Sequence, residues 1–228
     1  MTFGDIKHIN IESIGVYPKD VEYLDRALLD ENGRLKLLTN YDYRCFPHVH
    51  LRVWASLHSR YGFPTTELIA WLKERIAKRT ALEIAAGNGD LGHRLDIPMT
   101  DSYQQVDDRE TMLYLAAMGV TPTNPPPDVK KEDGENAVRR RKPRVVIACY
   151  ATEKWDKREP NKPGNYKGIR YGYVIERCET FILIGNKSVH GQSSALALPH
   201  EEFYFPWIVT RSKQQSDNRI WVWNNSAK

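Results

Sequence analysis

The segment Ala81-Leu-Glu-Ile-Ala-Ala-Gly-Asn-Gly-Asp-Leu-Gly92 constrains this chain more than any other. A short apolar run carrying one acid, Glu83, breaks into a turn where Gly87 and Gly89 lack the side chains that would hold a ligand off the backbone. The residues that follow suit a helix whose first amides point outward as donors. Buried strand, glycine turn and helix in that order predict one unit of a doubly wound α/β sheet and a site for a nucleotide-like cofactor.

The flanking pattern agrees. Thr65 or Thr66 caps a helix predicted to run to about Lys78, with Leu68, Ile69, Leu72 and Ile76 on one apolar face. A strand over 81–85, a short helix over 91–95 and a strand over 97–101 ending at Asp101 follow. Residues 121–127 contain Asn124-Pro-Pro-Pro127 and must be loop, because repeated prolines remove amide donors. A short strand at 129–131, a basic helix over 135–142 and a strand over 144–150 come next. A polar loop spans 152–172, before a helix over 173–179 and a strand over 180–185. Late strands are expected at 203–210 and 219–223, joined by a hairpin over 214–218. Residues 1–62 read as an irregular or helical N-terminal extension, rich in aromatics, and 63–228 as the α/β domain.

Composition narrows the class without choosing a partner. The chain's 228 residues suffice for one main core, and 41% hydrophobic with 27% charged residues is ordinary for a soluble globular protein. No apolar run reaches membrane-span length, and the start lacks signal-peptide character, which predicts the cytoplasm and no membrane partner. Cys45, Cys149 and Cys178, odd in number and far apart, read as reduced thiols. A net charge of +4 permits nucleic-acid binding without requiring it.

Glu83-Ile-Ala-Ala-Gly87-Asn-Gly89 resembles the first motif of class I S-adenosylmethionine-dependent methyltransferases, an acid in the first strand followed by a G-x-G turn. The resemblance extends in strand order over roughly residues 65–223. It implies a Rossmann-like class I methyltransferase fold: a mostly parallel sheet with an antiparallel late strand, here with an N-terminal helical extension over the cofactor or substrate side. It also implies S-adenosylmethionine as cofactor, with Glu83 orienting the methionine amino end, Asp101 the ribose hydroxyls and Asp133 the adenine amino group. Ala85, Gly87, Asn88 and Gly89 complete the implied cofactor contacts. Ala85 departs from the longest glycine pattern, and the span from the turn to Asp101 is short. The chain is also similar to a smaller bacterial and phage group of uncharacterised methyltransferase-like proteins, through Tyr61-Gly-Phe-Pro-Thr-Thr-Glu67, Thr100-Asp-Ser102, Ile184-Gly-Asn186 with His190, and Arg211-Ser212 before Asn218. Neither resemblance names the methyl acceptor.

Tyr150, in the fourth-strand position that borders substrate in that family, and His190, beyond the fifth strand, are the candidate catalytic residues. Trp155, Tyr166 and Tyr171 are substrate-side candidates, because the loop after the fourth strand mixes rings with Lys154, Lys157, Arg158, Lys162, Lys167 and Arg170. Cations meet phosphates and rings stack on bases, so nucleic acid is one candidate acceptor. Charged loops and basic helices such as Arg139-Arg-Arg-Lys142 are also commonly just solvated.

Other readings of the same residues stay open. Gly87-x-Gly89-x-x-Gly92 satisfies the dinucleotide fingerprint, whose ribose acid, expected roughly 20 residues on, would be Asp107 or Asp108. The turn also suits a helix cap with Glu83 making structural bonds alone, and a cofactor-binding module without turnover fits as well as an enzyme. Asn124-Pro-Pro-Pro127 lacks the aromatic of the amino-directed DNA methyltransferase motif and precedes the third strand; Cys149 lacks the preceding proline of cytosine-carbon methyltransferases and reads as a buried strand thiol. Cys45, His48 and His50 have no second cluster to complete a metal site, so none is expected.

Overall fold

The computed structural model describes residues 15–117, 119–158 and 164–225. The chain opens with three helices, α1 (Tyr23–Leu28), α2 (Asn40–Arg44) and α3 (His48–Leu57), and a two-residue strand β1 (Gly62–Phe63). Then follow α4 (Thr66–Ile76), β2 (Ala81–Ile84), α5 (Asp90–Leu95), β3 (Met99–Asp101), α6 (Gln104–Asp107), α7 (Arg109–Ala117) and β4 (Val129–Lys131). The second half holds α8 (Gly134–Arg141), β5 (Val145–Cys149), α9 (Tyr171–Ile175), β6 (Thr180–Asn186), α10 (Lys187–His190), β7 (Glu201–Phe203), β8 (Val209–Thr210) and β9 (Asn218–Asn224).

The main sheet has seven strands in the order β4-β3-β2-β5-β6-β9-β7. Strands β2 to β6 run parallel, and β9 lies antiparallel between β6 and β7. The architecture is therefore α/β with a mostly parallel mixed sheet, compatible with a Rossmann-like fold. From β2 the chain steps outward through β3 to β4, then returns to β2's other side as β5. That reversal places a topological switch point between the carboxyl ends of β2 and β5.

Helices cover both faces, which is why the central strands are continuous apolar runs. On one face Leu82, Ile84, Val146, Ala148, Phe181 and Leu183 pack against Ala137 and Val138 of α8 and Tyr171 and Val174 of α9. On the other, Ala81, Val145, Ile147, Ile182 and Ile184 meet the predicted face of α4 together with Leu91 and Leu95 of α5. Thr65 caps α4 by accepting from the Leu68 amide at 3.1 Å. Each fully buried aliphatic side chain contributes roughly 1.5–3 kcal/mol. A third cluster, with Leu24, Leu28, Leu51 and Trp54, joins the helices of the N-terminal segment to Phe63 and Val209.

Three expectations are corrected. The strand expected at 203–210 is two strands in different sheets: β7 pairs with β9, while β8 pairs with β1, Phe63 opposite Val209. Pro206, which has no amide donor, lies between them. The stretch expected as a hairpin over 214–218 is a 3-10 turn, Gln215–Asp217, leading into β9. The helix expected over 173–179 is α9, which begins two residues earlier and ends at Ile175.

Candidate functional site

The turn after β2 is held from below and behind. Ala85, Gly87 and Gly89 have φ of +50°, +54° and +70°, conformations natural only to the glycines. The Gly87 amide donates to Asp101 Oδ2 at 2.9 Å, and the Tyr103 amide donates to Asp101 Oδ1 at 2.8 Å. Asp101, at the end of β3, thus ties the turn to the next loop. Each oxygen of a carboxylate retains further acceptor capacity.

The three glycines have different reasons to be glycine. A Cβ on Gly89 would lie 2.7 Å from Val129 Cγ2 and 2.9 Å from Met99 Sδ, so this residue is pressed against β3 and β4. A Cβ on Gly92 would lie 2.5 Å from Met99 Cγ and 2.6 Å from Glu83 Oε2. At Gly87 the nearest neighbour would be Thr123 Cγ2 at 3.4 Å, which leaves its backbone the most approachable of the three. Sequence reasoning gave Gly89 the same ligand-clearing role as Gly87; in the fold its missing side chain serves packing.

Glu83 shares the α4/α5 face of β2 with Ala81, by the two-residue period of a strand. Its Oε2 accepts from the Gly92 amide at 2.7 Å. Burial pushes its pKa up to about 8 against that hydrogen bond, so the group is largely protonated at neutral pH. It lies beneath the turn, and contact with a ligand would have to run through water or through its field.

The N-terminal segment closes over this turn. Asn88 Nδ2 donates to the Ser59 carbonyl at 3.0 Å, and Arg60 forms a part-buried ion pair with Asp90 at the start of α5. Asp90 Oδ1 also faces the Leu35 amide at 3.3 Å, and burial raises its pKa despite Arg60. The proline loop joins in: Ser59 Oγ donates to the Thr121 carbonyl, and Gln105 Oε1 accepts from the Thr123 amide at 2.8 Å. Sequence reasoning missed Arg60 and Asp90. An acid opening the helix after a glycine turn was visible, but its partner stands far earlier in the chain.

Beyond β5, Tyr150 adopts φ +56°. Its hydroxyl donates to Asn218 Oδ1 at 2.9 Å and lies 3.3 Å from Ser212 Oγ, while burial raises its pKa. Since Ile84 is paired with Ala148, Ala86 and Tyr150 leave adjacent strands at the same level. Tyr61 lies against Tyr150 with ring centroids 6.3 Å apart, and the Arg211 guanidinium covers the Tyr61 ring at 3.8 Å. The structure thus brings Gly87, Asp101 and Tyr150 to the switch-point crevice and adds Tyr61 and Arg211, which sequence reasoning did not assign to a site.

The remaining candidates are placed differently. His190 is buried; its Nε2 donates to the Ala151 carbonyl at 3.1 Å and its Nδ1 accepts from the Asn186 amide at 3.1 Å, the tautomer being assigned from these partners. Burial lowers its pKa to about 4, so it is neutral, with both nitrogens engaged. Tyr171, expected on the substrate side of the loop, is fully buried at the start of α9 with its hydroxyl on the same Ala151 carbonyl; the expectation is corrected because α9 turns its first ring into the core. Asp133 caps α8 through the Asn136 amide at 3.1 Å and lines an open depression of about 940 Å³ with Lys130, Glu132 and Arg139. Burial raises the pKa of the Cys149 thiol, consistent with an inert strand residue.

Trp155 and Tyr166 pack against each other at a tilt of 45°, ring centroids 4.9 Å apart, with Tyr166 exposed. Several loop cations are neutralised by acids: Arg158 binds Asp156, Lys167 lies 3.7 Å from Asp108, and Arg170 binds Glu135. Lys162 lies outside the described residues. Asp107 pairs with Lys131 at 2.7 Å and Asp108 caps α7 through Thr111, so the acid at the end of β3 is Asp101 rather than either of these. Cys45, His48 and His50 turn to Tyr41, Thr210 and Tyr23 respectively, and among the described residues no three His, Cys, Asp or Glu side chains group to hold a metal. No described helix is long and apolar enough to cross a membrane.

No known protein family matches this chain, and no curated protein matches it. A solved structure described as Thermoplasma acidophilum 1320 is similar over 78% of this chain and 96% of its own, at 13% identity and a TM-score of 0.35. A likeness that loose carries no argument about fold or function.

Proposed function

We propose that the protein binds S-adenosylmethionine over the turn at Gly87 and transfers its methyl group to an acceptor seated against Tyr150. One observation carries this reading: the glycine turn and Tyr150 flank the two sides of the switch point between β2 and β5, where ligands of open α/β sheets bind. The antiparallel β9 and the acid at the end of β3 are features the methyltransferase resemblance implies, and both are present.

The residues fit the group. Gly87 keeps part-exposed backbone free of a side chain, and Asp101, half-buried, retains acceptor capacity for ribose hydroxyls after receiving two amides. Glu83 stands behind the turn where a cationic amino end would favour its ionised form. When bound, the donor supplies an already activated sulfonium methyl, so the protein's part is alignment and exclusion of water. Ser59 and Arg60 close one side of the crevice, and the Tyr150 ring, fixed by Asn218 and flanked by Tyr61, forms a wall on the other. His190 holds the loop after β5 through Ala151, and no proton transfer is assigned to it.

Incubation with methyl-labelled donor and fractionated cell extract tests turnover. Label should enter one fraction while S-adenosylhomocysteine accumulates with it. Donor binding without product in any fraction would instead identify a cofactor-binding module acting through partners. A dinucleotide remains the second reading, favoured by the Gly87-x-Gly89-x-x-Gly92 spacing.

A further inference from the structure

Arg211 follows β8 and lies on the acceptor side of the crevice. Its guanidinium carbon sits 3.8 Å from the centroid of Tyr61, and its backbone amide donates to the Tyr61 carbonyl at 3.1 Å. Ser212, the next residue, touches the Tyr150 hydroxyl, so Arg211, Tyr61 and Tyr150 form one wall. The Arg211 charge is close enough to act on the Tyr150 phenol, favouring its ionised form against the stronger effect of burial.

This cation is prepared and unanswered. Arg211 Nη1 is shielded from solvent and has no hydrogen-bond partner among the described residues. A second arginine stands beside it, Arg52, whose Nε donates to the Arg211 carbonyl at 3.4 Å. Neither forms an ion pair with a carboxylate among the described residues, whereas the largely covered Arg60 nearby is matched by Asp90. Leaving a buried guanidinium nitrogen unpaired costs free energy, and stacking on a ring fixes the planar fork in advance of any partner. A planar fork that still holds an unpartnered nitrogen is suited to two-pronged recognition of a carboxylate or phosphate.

We infer that Arg211, stacked on Tyr61, anchors an anionic group of the methyl acceptor, a carboxylate or a phosphate monoester, at the Tyr150 side of the crevice. The inference rests on placing the acceptor there, but the anion site can be tested without any methyl transfer. An acceptor held in this way would be an acid or phosphorylated small molecule, or carry such a group near the methylated atom.

Calorimetric titration of the full chain with benzoate, phenyl phosphate, inorganic phosphate and neutral benzamide, with and without saturating S-adenosylhomocysteine, tests it. At least one anion should bind, with benzamide at least about tenfold weaker. Benzoate against phenyl phosphate separates the carboxylate from the phosphate source. Arg211→Gln should weaken anion binding at least about tenfold, and Arg211→Lys should restore part of the loss. Tyr61→Leu, which keeps the charge but removes the ring beneath it, should weaken binding about threefold and carries the test with Arg211→Lys should Arg211→Gln unfold. S-adenosylhomocysteine affinity should stay within about twofold in the two Arg211 variants. Equal binding of benzamide, unchanged anion affinity in Arg211→Gln, or no anion binding up to about 10 mM would overturn the inference. Arg211-dependent anion binding in a protein that ignores S-adenosylhomocysteine would instead sink the methyl-donor reading and leave the anion anchor standing.

Discussion

The two sides of the crevice are made in opposite ways. On the β2 side, the bonds that shape the turn join Glu83 to Gly92, Gly87 to Asp101, and Asp101 to Tyr103. On the β5 side, Tyr61, Tyr150 and the pair Arg211 and Asn218 come from three widely separated stretches of chain. The first side is a compact local motif whose geometry is enforced by packing against β3 and β4. The second exists only after β8 has paired with β1 and β9 has entered the sheet. In the proposed reading, cofactor grip and acceptor choice therefore meet only through the segment that runs from Ser59 and Arg60 to Tyr61, and a change elsewhere on one side should leave the other largely intact.

The largest expected effect breaks the local side. Gly89→Val would force a β-branched residue into φ +70° and set its Cβ 2.7 Å from Val129 Cγ2. Strain and overpacking together should cost about 3–5 kcal/mol, read as a lower urea midpoint. A midpoint equal to that of the parent would show that the turn is not braced against β4.

A smaller effect concerns pH. Glu83 keeps its proton in the folded protein up to about 8, whereas its ordinary value is 4.5. Across that window the unfolded chain has already lost the proton that the folded chain retains. Rising pH therefore favours unfolding from about 4.5 to about 8, and the effect is complete above it. Glu83→Gln keeps an oxygen for the Gly92 amide but does not ionise. Denaturant midpoints measured from pH 5 to 8 should fall more steeply in the parent than in the variant; parallel curves would mean that Glu83 is ionised throughout, as in a site already holding a cation.

How much of this was legible follows the same division. The turn, the apolar face of α4 and the buried runs of β5 and β6 were readable because their determinants are neighbours in sequence. The role of Gly92 was readable only as one position of a spacing; its physical reason, the close approach of Met99 and of the Glu83 carboxyl group, needed the fold. The aromatic stretch through Phe203, Phe205 and Trp207 read as one strand, because the partner that captures Val209 is Phe63, far earlier in the chain. Tyr171 was misplaced by a helix start two residues off, enough to send its ring into the core. Arg211 stood out in the sequence only as one piece of a resemblance with no role attached, since its meaning lies in Tyr61 beneath it and in the lack of a paired carboxylate among the described residues.

The most direct measurement is calorimetric titration of the parent and Gly87→Val with S-adenosylmethionine, S-adenosylhomocysteine and NAD. Gly87 has φ +54° and only Thr123 near its missing side chain, so valine there should obstruct the open face of the turn at a smaller cost in stability than at Gly89. The predicted result is binding of both methyl-donor ligands to the parent, none of NAD, and loss of that binding in a Gly87→Val protein that circular dichroism shows to be folded. Binding of NAD alone, or full S-adenosylhomocysteine affinity in folded Gly87→Val, would contradict the assignment of this turn to a methyl donor.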